Sequence, residues 1–158
     1  MTRGGQSLKA VRGLLRRAAK DDGGAAAVEF ALLIPVLALL LLGTLQAGVT
    51  LNNYIELTDA VRSGARQLAV GRATSTPYTS TTGVIEAAAT ALTVADINIT
   101  TTVNSAGCAS NSACATALSN AVGGTAAVTA TYPCDMTIMG VDFAPNCTLT
   151  STTTDMVE

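Results

Sequence analysis

The stretch from Phe30 to Ile55 contains no charged side chain, and it constrains the fold more than any other part of the sequence. A helix of about 20 apolar residues crosses the hydrocarbon core of a bilayer, and this stretch is longer than that. One carboxylate, Glu29, stands at its leading edge. A charged residue at the edge of a membrane span is costly and usually has a functional reason. The sequence therefore predicts a membrane-spanning helix with a functional carboxylate near its start.

Charge is distributed unequally on the two sides of this stretch. Residues 1–24 hold six basic and two acidic side chains, a net charge of +4, whereas residues 25–158 hold three basic and nine acidic ones, a net charge of −6. Basic flanks of a membrane span stay in the cytoplasm, so the C-terminal part is predicted to lie outside. The basic cluster is also compatible with a nucleic-acid-binding tail, but the apolar span that follows it argues against a nucleic-acid partner.

The basic leader, residues 1–24, allows two interpretations. Leu8, Val11, Leu14 and Leu15 recur at helical spacing between cations, which favours a short amphipathic helix on the inner membrane surface. A disordered cytoplasmic tail is the other interpretation. The sequence Asp21-Asp22-Gly23-Gly24 at the end of the leader predicts a break in any helix and an accessible backbone.

Residues 25–51 form the predicted transmembrane helix, and residues 52–72 read as the same helix continuing into water. In this extension an apolar stripe that includes Leu57 and Val61 alternates with charged residues, and Asp59 and Arg62 form an i, i+3 pair of opposite charge. Residues 73–82 are rich in Thr and Ser and are predicted to be a linker. The remaining residues, 83–158, form a small exported module.

The exported module begins with a predicted helix from Gly83 to Ala95, after which the apolar period changes from helical spacing to two. Three segments alternate in this way and are predicted to be β-strands; they run from Ile97 to Val103, from Ala126 to Tyr132 and from Leu149 to Thr153. The predicted fold class is therefore α+β, with a long N-terminal membrane-spanning helix followed by a small antiparallel β module that carries one short helix.

The four cysteines all lie in the part predicted to be exported. An even number of cysteines in an exported domain favours two disulfides, and four cysteines allow three connectivities. We favour Cys108–Cys114 and Cys134–Cys147, because each pair closes a local loop between predicted strands. Spacings of six, twenty and thirteen residues, with no C-x-x-C motif, do not suggest a metal site.

The residue types needed for catalysis are poorly represented. The sequence has no His, which removes the commonest general base and the commonest metal ligand. It also has no phosphate-binding loop and no recognisable nucleophile–base pair. We therefore expect no enzyme activity, no cofactor and no small-molecule substrate.

The segment around Glu29 has the most specific motif in the chain. A basic leader ends in Gly, and a carboxylate follows at the fifth position of an apolar helix, in the sequence Gly24-Ala25-Ala26-Ala27-Val28-Glu29-Phe30. This resembles the processing site of type IV pilin-like precursors, specifically the TadE-like minor pilins (pseudopilins) of tight-adherence, or Flp, pili. The stretch from Glu29 to Leu37, which includes Pro35, and the stretch from Asp59 to Arg66 are also similar to that family.

The resemblance implies that a prepilin peptidase cuts between Gly24 and Ala25. An intramembrane protease needs an unwound backbone at the scissile bond, which a glycine supplies. Cutting after Gly23 is the alternative, and it would place Glu29 at position six of the mature chain. Many type IV pilins carry Phe where this sequence has Ala25, and N-methylation of the new terminus is left open for that reason.

The resemblance also implies assembly or recognition roles for Glu29, Phe30 and Pro35. The Glu29 carboxylate would pair with the ammonium group that cutting creates at Ala25, in the same or a neighbouring subunit. The implied partners are the membrane, the prepilin peptidase, and other pilins or proteins of the pilus assembly platform. The implied location is the bacterial inner membrane. The competing hypothesis is a secreted or membrane-anchored binding module without a role in a pilus.

Overall fold

A computed structural model of the protein describes residues 22–138 and 140–158. The amphipathic helix or disordered tail predicted for the leader therefore falls almost entirely outside the described residues. The described chain forms two compact units that divide after Thr44, and each unit is described by itself below. The predicted fold class, α+β with a long N-terminal helix and a small antiparallel module, is confirmed.

The long helix, α1, extends from Asp22 to Ala69 and contains Pro35. The break predicted for residues 21–24 is wrong over residues 22–24, because Asp22, Gly23 and Gly24 all belong to the first turn. A glycine inside a helix costs only about 1 kcal/mol relative to alanine, so the continuing helix tolerates both glycines.

The helical extension ends slightly earlier than predicted. Helix α1 stops at Ala69, and a single 3₁₀ turn, Gly71–Ala73, replaces its last predicted residues. The predicted pair of opposite charges is present, with Arg62 Nη1 3.3 Å from Asp59 Oδ1. Both side chains are largely exposed, so this ion pair contributes little to stability.

The Thr/Ser linker predicted for residues 73–82 is also wrong, because helix α2 extends from Pro77 to Ala88. Proline at the first position of a helix loses no hydrogen bond and has the required φ. A long-range interaction then fixes the start of the helix: the Thr79 backbone N–H donates to Asn111 Oδ1 at 2.9 Å, and Asn111 Nδ2 donates to Thr79 Oγ1 at 2.8 Å. Helix α2 is therefore displaced towards the N-terminus from the predicted 83–95.

The sheet contains the three predicted strands and one short additional strand. The strands are β1 (Asn98–Val103), β2 (Ala106–Gly107), β3 (Thr125–Pro133) and β6 (Thr148–Met156). They are antiparallel, in the order β2-β1-β3-β6, with Thr100 opposite Thr129 and Thr129 opposite Thr152. A separate hairpin pairs β4 (Thr137–Ile138) with β5 (Val141–Asp142).

A third helix, α3 (Asn111–Ser119), lies in the connection between β1 and β3, where the sequence predicted a loop. Its N-cap is Ser110, whose Oγ accepts a hydrogen bond from the Ala113 N–H at 3.2 Å. Cys114 and Leu118 are its buried residues. A nine-residue helix is marginal in isolation, so burial of these two side chains is its main source of stability.

The core of the second unit lies between one face of the sheet and the helices. It is a single cluster of buried side chains, among which the largest are Leu57, Val61, Leu68, Ile85, Val103, Leu118 and Val128. The opposite face of the sheet is almost entirely threonine, and there Thr129 Oγ1 lies 2.9 Å from Thr152 Oγ1. Along β3 the apolar residues Ala126, Val128 and Ala130 face the core, and the period of two therefore separates a buried face from a solvent-facing one.

Candidate functional site

The predicted scissile bond, between Gly24 and Ala25, lies in the first turn of α1. Gly24 is exposed. The first backbone N–H groups of a helix have no intrahelical partner, so the first turn opens at lower cost than the middle of a helix. A protease that requires an extended substrate would need to unwind only the first residues of α1.

Glu29 lies one helical turn after Ala25, because residues i and i+4 share a helix face. Its side chain is exposed, as is that of Phe30. Within residues 22–138 and 140–158, Asp59–Arg62 is the single ion pair, so the Glu29 carboxylate accepts no salt bridge from the described side chains. The carboxylate is therefore accessible to a group from outside the described part of the chain.

Pro35 lies inside α1, six residues after Glu29. Proline has no N–H, so the carbonyl oxygen of Ala31 loses its usual hydrogen-bond donor at this point. The helix nevertheless continues through Pro35. Membrane helices tolerate such a residue when a neighbouring group or local adjustment satisfies the free carbonyl.

The surface of α1 around these residues is apolar and exposed. The helix is long and apolar enough to cross a membrane, with a mean hydropathy of 2.4 in its most apolar window, and none of that window is buried. The exposed side chains include Leu32, Leu33, Leu37, Leu40 and Leu41. A helix that is apolar on all sides and unburied requires lipid or other protein chains around it.

The cysteines are brought together in the two predicted pairs. Cys108 and Cys114 have Cα atoms 5.0 Å apart and connect the end of β2 to α3. Cys134 and Cys147 have Cα atoms 5.2 Å apart and close the segment that carries β4 and β5. The Cys134 N–H also donates to the Cys147 carbonyl oxygen at 3.1 Å, which continues the pairing of β3 with β6.

We call residues 134–147, closed by the second cysteine pair, the hairpin loop. Its two carboxylates accept hydrogen bonds from the backbone of the loop itself. Asp135 Oδ1 accepts from the Thr137 N–H at 2.9 Å, and Asp142 Oδ1 accepts from the Ala144 N–H at 2.9 Å. The loop contacts α1 through a hydrogen bond from Gln46 Nε2 to the Asp135 carbonyl oxygen. The sequence argument missed this contact, although a lone Gln inside the uncharged stretch was a signal that some polar group must meet it.

Glu56 was also missed. Its Oε1 accepts hydrogen bonds from Thr90 Oγ1 at 3.1 Å and from the Ala91 backbone N–H. The first carboxylate after the uncharged stretch therefore fixes the segment that follows α2 against α1. No group of three or more His, Cys, Asp and Glu side chains could hold a metal ion in the described ranges 22–138 and 140–158.

The family model described as TadE-like protein matches residues 24–66. The predicted resemblance is confirmed over this segment, which begins at the predicted cut site and ends within α1. Proteins of this family are associated with tight-adherence pili. No curated protein and no solved structure matches the chain.

Proposed function

We propose that this chain is a prepilin-like subunit or assembly factor of an adhesive tight-adherence type IV pilus. A prepilin peptidase would remove residues 1–24, and residues 25–51 would anchor the mature chain in the inner membrane with the exported module outside. The observation that carries this proposal is the coincidence of the TadE-like match, which begins at residue 24, with an unburied apolar helix that begins at Asp22.

The chemistry of processing and of assembly follows from the start of α1. Cutting after Gly24 would give Ala25 a free ammonium group, one helical turn from the Glu29 carboxylate. Both charges would lie at the edge of the hydrocarbon, where each is costly alone and the pair offsets part of that cost. A pair formed between neighbouring subunits would fix the axial position of one helix against the next.

The exposed apolar surface of α1 has a role in the same scheme. In the membrane it would face lipid, and in an assembly it would pack against the helices of other pilins or of assembly-platform proteins. Van der Waals packing drives helix association in lipid, because lipid tails are as apolar as the side chains and no hydrophobic force brings the helices together. No catalytic role is assigned to this chain, and the peptidase supplies the chemistry of processing.

Sequencing the N-terminus of the mature protein tests the proposal. Ala25 as the first residue is the expected result. A terminus at Gly48 would indicate a signal peptide and a secreted module, and an intact Met1 would indicate an unprocessed membrane anchor. Either of the latter results would contradict peptidase processing and favour a binding module without a pilus role.

A further inference from the structure

We propose that the hairpin loop, residues 134–147, is a membrane-contacting element that inserts the side chains of Val141 and Phe143 into the outer interface of the lipid bilayer. The proposal rests on the membrane anchor of the proposed function, and it is independent of peptidase processing. The partner is a lipid surface, and the loop would extend the lipid-facing surface of α1.

The first observation is the exposure of the apolar side chains in the loop. Val141, the first residue of β5, is 58% exposed, and Phe143, which follows the last residue of β5, is 62% exposed. Phe143 is one of only two phenylalanines in the chain, and the other, Phe30, lies at the start of the uncharged stretch. Transfer of large apolar side chains from water to an apolar surface lowers the free energy, so such side chains on an exposed loop favour an apolar partner.

The second observation is the level at which the loop lies along α1. A span of about 20 residues that begins at Phe30 ends near Val49, so Gln46 lies in its last turn. The hydrogen bond from Gln46 to the Asp135 carbonyl oxygen holds the start of the loop at this level. A polar amide inside the last turn of a membrane span is stabilised by such an acceptor, because the hydrocarbon itself offers none.

The third observation is the character of α1 beside Gln46. Leu45 is 60% exposed and Val49 is 56% exposed, so the helix at this level also presents apolar side chains that the exported module does not cover. The loop is therefore held against a turn of α1 that is itself apolar and exposed. If α1 crosses the membrane here, the same lipid must cover both parts.

The carboxylates set the depth of insertion. Asp135 and Asp142 are exposed, and each accepts a backbone hydrogen bond within the loop. An ionised carboxylate is costly in hydrocarbon, so the loop stays at the level of the headgroups with only its apolar side chains inserted. Its net negative charge also predicts that anionic lipids do not strengthen the contact.

The opposite end of the module supplies a matched control. Val122 is an apolar side chain that is 67% exposed, an exposed fraction close to that of Phe143. It lies beside the turn in which the Gly123 N–H donates to the Val157 carbonyl oxygen, and the next residue, Glu158, donates its N–H to the Ala69 carbonyl oxygen at 3.3 Å. Ala69 is 23 residues beyond Gln46 on the same helix, a distance of about 35 Å.

The experiment uses the full chain in phosphatidylcholine vesicles that contain lipid brominated in the upper part of the acyl chains, which quenches tryptophan on contact. The natural sequence has no Trp, so each variant carries a single probe. We expect the Phe143→Trp variant to lose intensity in brominated vesicles and to emit at shorter wavelength than the Val122→Trp variant. The Val122→Trp variant should not be quenched. The Leu40→Trp variant, near the middle of the span, reports insertion in matched vesicles whose lipid is brominated near the ends of the acyl chains.

The outcomes separate this inference from the function proposed above. Quenching of Leu40→Trp without quenching of Phe143→Trp would overturn the inference and leave the anchor intact. A shift in the emission of Phe143→Trp without quenching would not rescue the inference, because contact with another protein chain also shifts emission. Equal quenching of Phe143→Trp and Val122→Trp would overturn it too, as a sign of non-specific adsorption. An unquenched Leu40→Trp variant would overturn the membrane anchor and the inference together.

A second substitution tests the role of Gln46. Replacing it by leucine, Gln46→Leu, keeps the span apolar and removes the donor to Asp135. In the Phe143→Trp background we expect weaker quenching, because the loop is no longer held at the level of the outer interface. Unchanged quenching would overturn the assignment of Gln46 as the residue that positions the loop.

Discussion

The backbone of Gly64 in α1 lies directly against the side chain of Ile85 in α2. A β-carbon at residue 64 would lie 2.6 Å from Ile85 Cδ1 and closer still to Cγ1. Ile85 is fully buried, so it has little space in which to move away. Glycine at this position therefore allows α2 to pack on the part of α1 that belongs to the exported module.

The first prediction follows from this contact. Gly64→Ala should destabilise the exported module by roughly 1–3 kcal/mol, the usual cost of overpacking a filled core. The measurement is the urea concentration at which the module loses protease resistance in the detergent-solubilised full chain. Gly83→Ala is the matched control: it lies in α2, and its β-carbon would meet no atom within 4 Å. That control should be neutral or stabilising by about 0.4–1 kcal/mol. Equal stability of Gly64→Ala and Gly83→Ala would contradict the packing argument.

The second prediction concerns processing at Gly24. Gly24→Leu should block cleavage, because a bulky side chain would occupy the position that the peptidase needs to unwind. The full-length precursor should accumulate in the membrane fraction, since the span from Phe30 onward is unchanged. An immunoblot that resolves precursor from mature protein measures this. Cleavage of the variant at the normal rate would remove the main support for a prepilin-like precursor.

The third prediction separates assembly from processing. Glu29→Ala and Glu29→Gln should be inserted and cut but should lower the number of surface pili by roughly tenfold or more, since the Ala25 ammonium would lose its partner where subunits pack. Glu29→Asp keeps the charge and should retain part of the function. Asp96→Asn removes one negative charge from an exposed position of the module and is the control. Normal piliation in the Glu29→Gln strain would show that Glu29 is an ordinary interfacial residue.

The fourth prediction concerns the cysteines. Non-reducing peptide mapping of the exported protein should find Cys108 joined to Cys114 and Cys134 joined to Cys147. Each bond closes a short loop, so the chain-entropy model gives each roughly 2–3 kcal/mol, and replacing one pair by serine should loosen its loop while the sheet remains folded. A peptide that joins Cys108 to Cys134 or Cys147 would refute this connectivity.

The fifth prediction is the topology in the membrane. The net charge of +4 before residue 25, against −6 after it, places the N-terminus in the cytoplasm and the C-terminus outside. A reporter fused after Glu158 that is active only outside the cytoplasm should be active. If instead a reporter that works only in the cytoplasm is active after Glu158, the orientation is opposite to the predicted one.

Secondary structure was predictable where the signal is local and repeated. The uncharged stretch gave the membrane-spanning part of α1, and alternation gave β1, β3 and β6 to within a few residues. The start of α2 was missed because its Thr and Ser residues favour a loop, although Pro77 was a usable signal for a first helical position. Helix α3 was missed because its stability comes from the burial of Cys114 and Leu118. A short window of sequence does not show that these side chains are buried.

The sequence by itself determined the apolar helix, the position of Glu29 within it, the charge asymmetry and the TadE-like segment at residues 24–66. Periodicity and charge are local properties, so they can be read without the fold. Only the tertiary structure decided that Gly64 meets Ile85, that Asn111 holds the start of α2, and that Gln46 holds the hairpin loop beside α1. Each of these contacts joins residues more than 20 positions apart, and such pairs are selected by packing and by the need to satisfy polar groups in the folded chain.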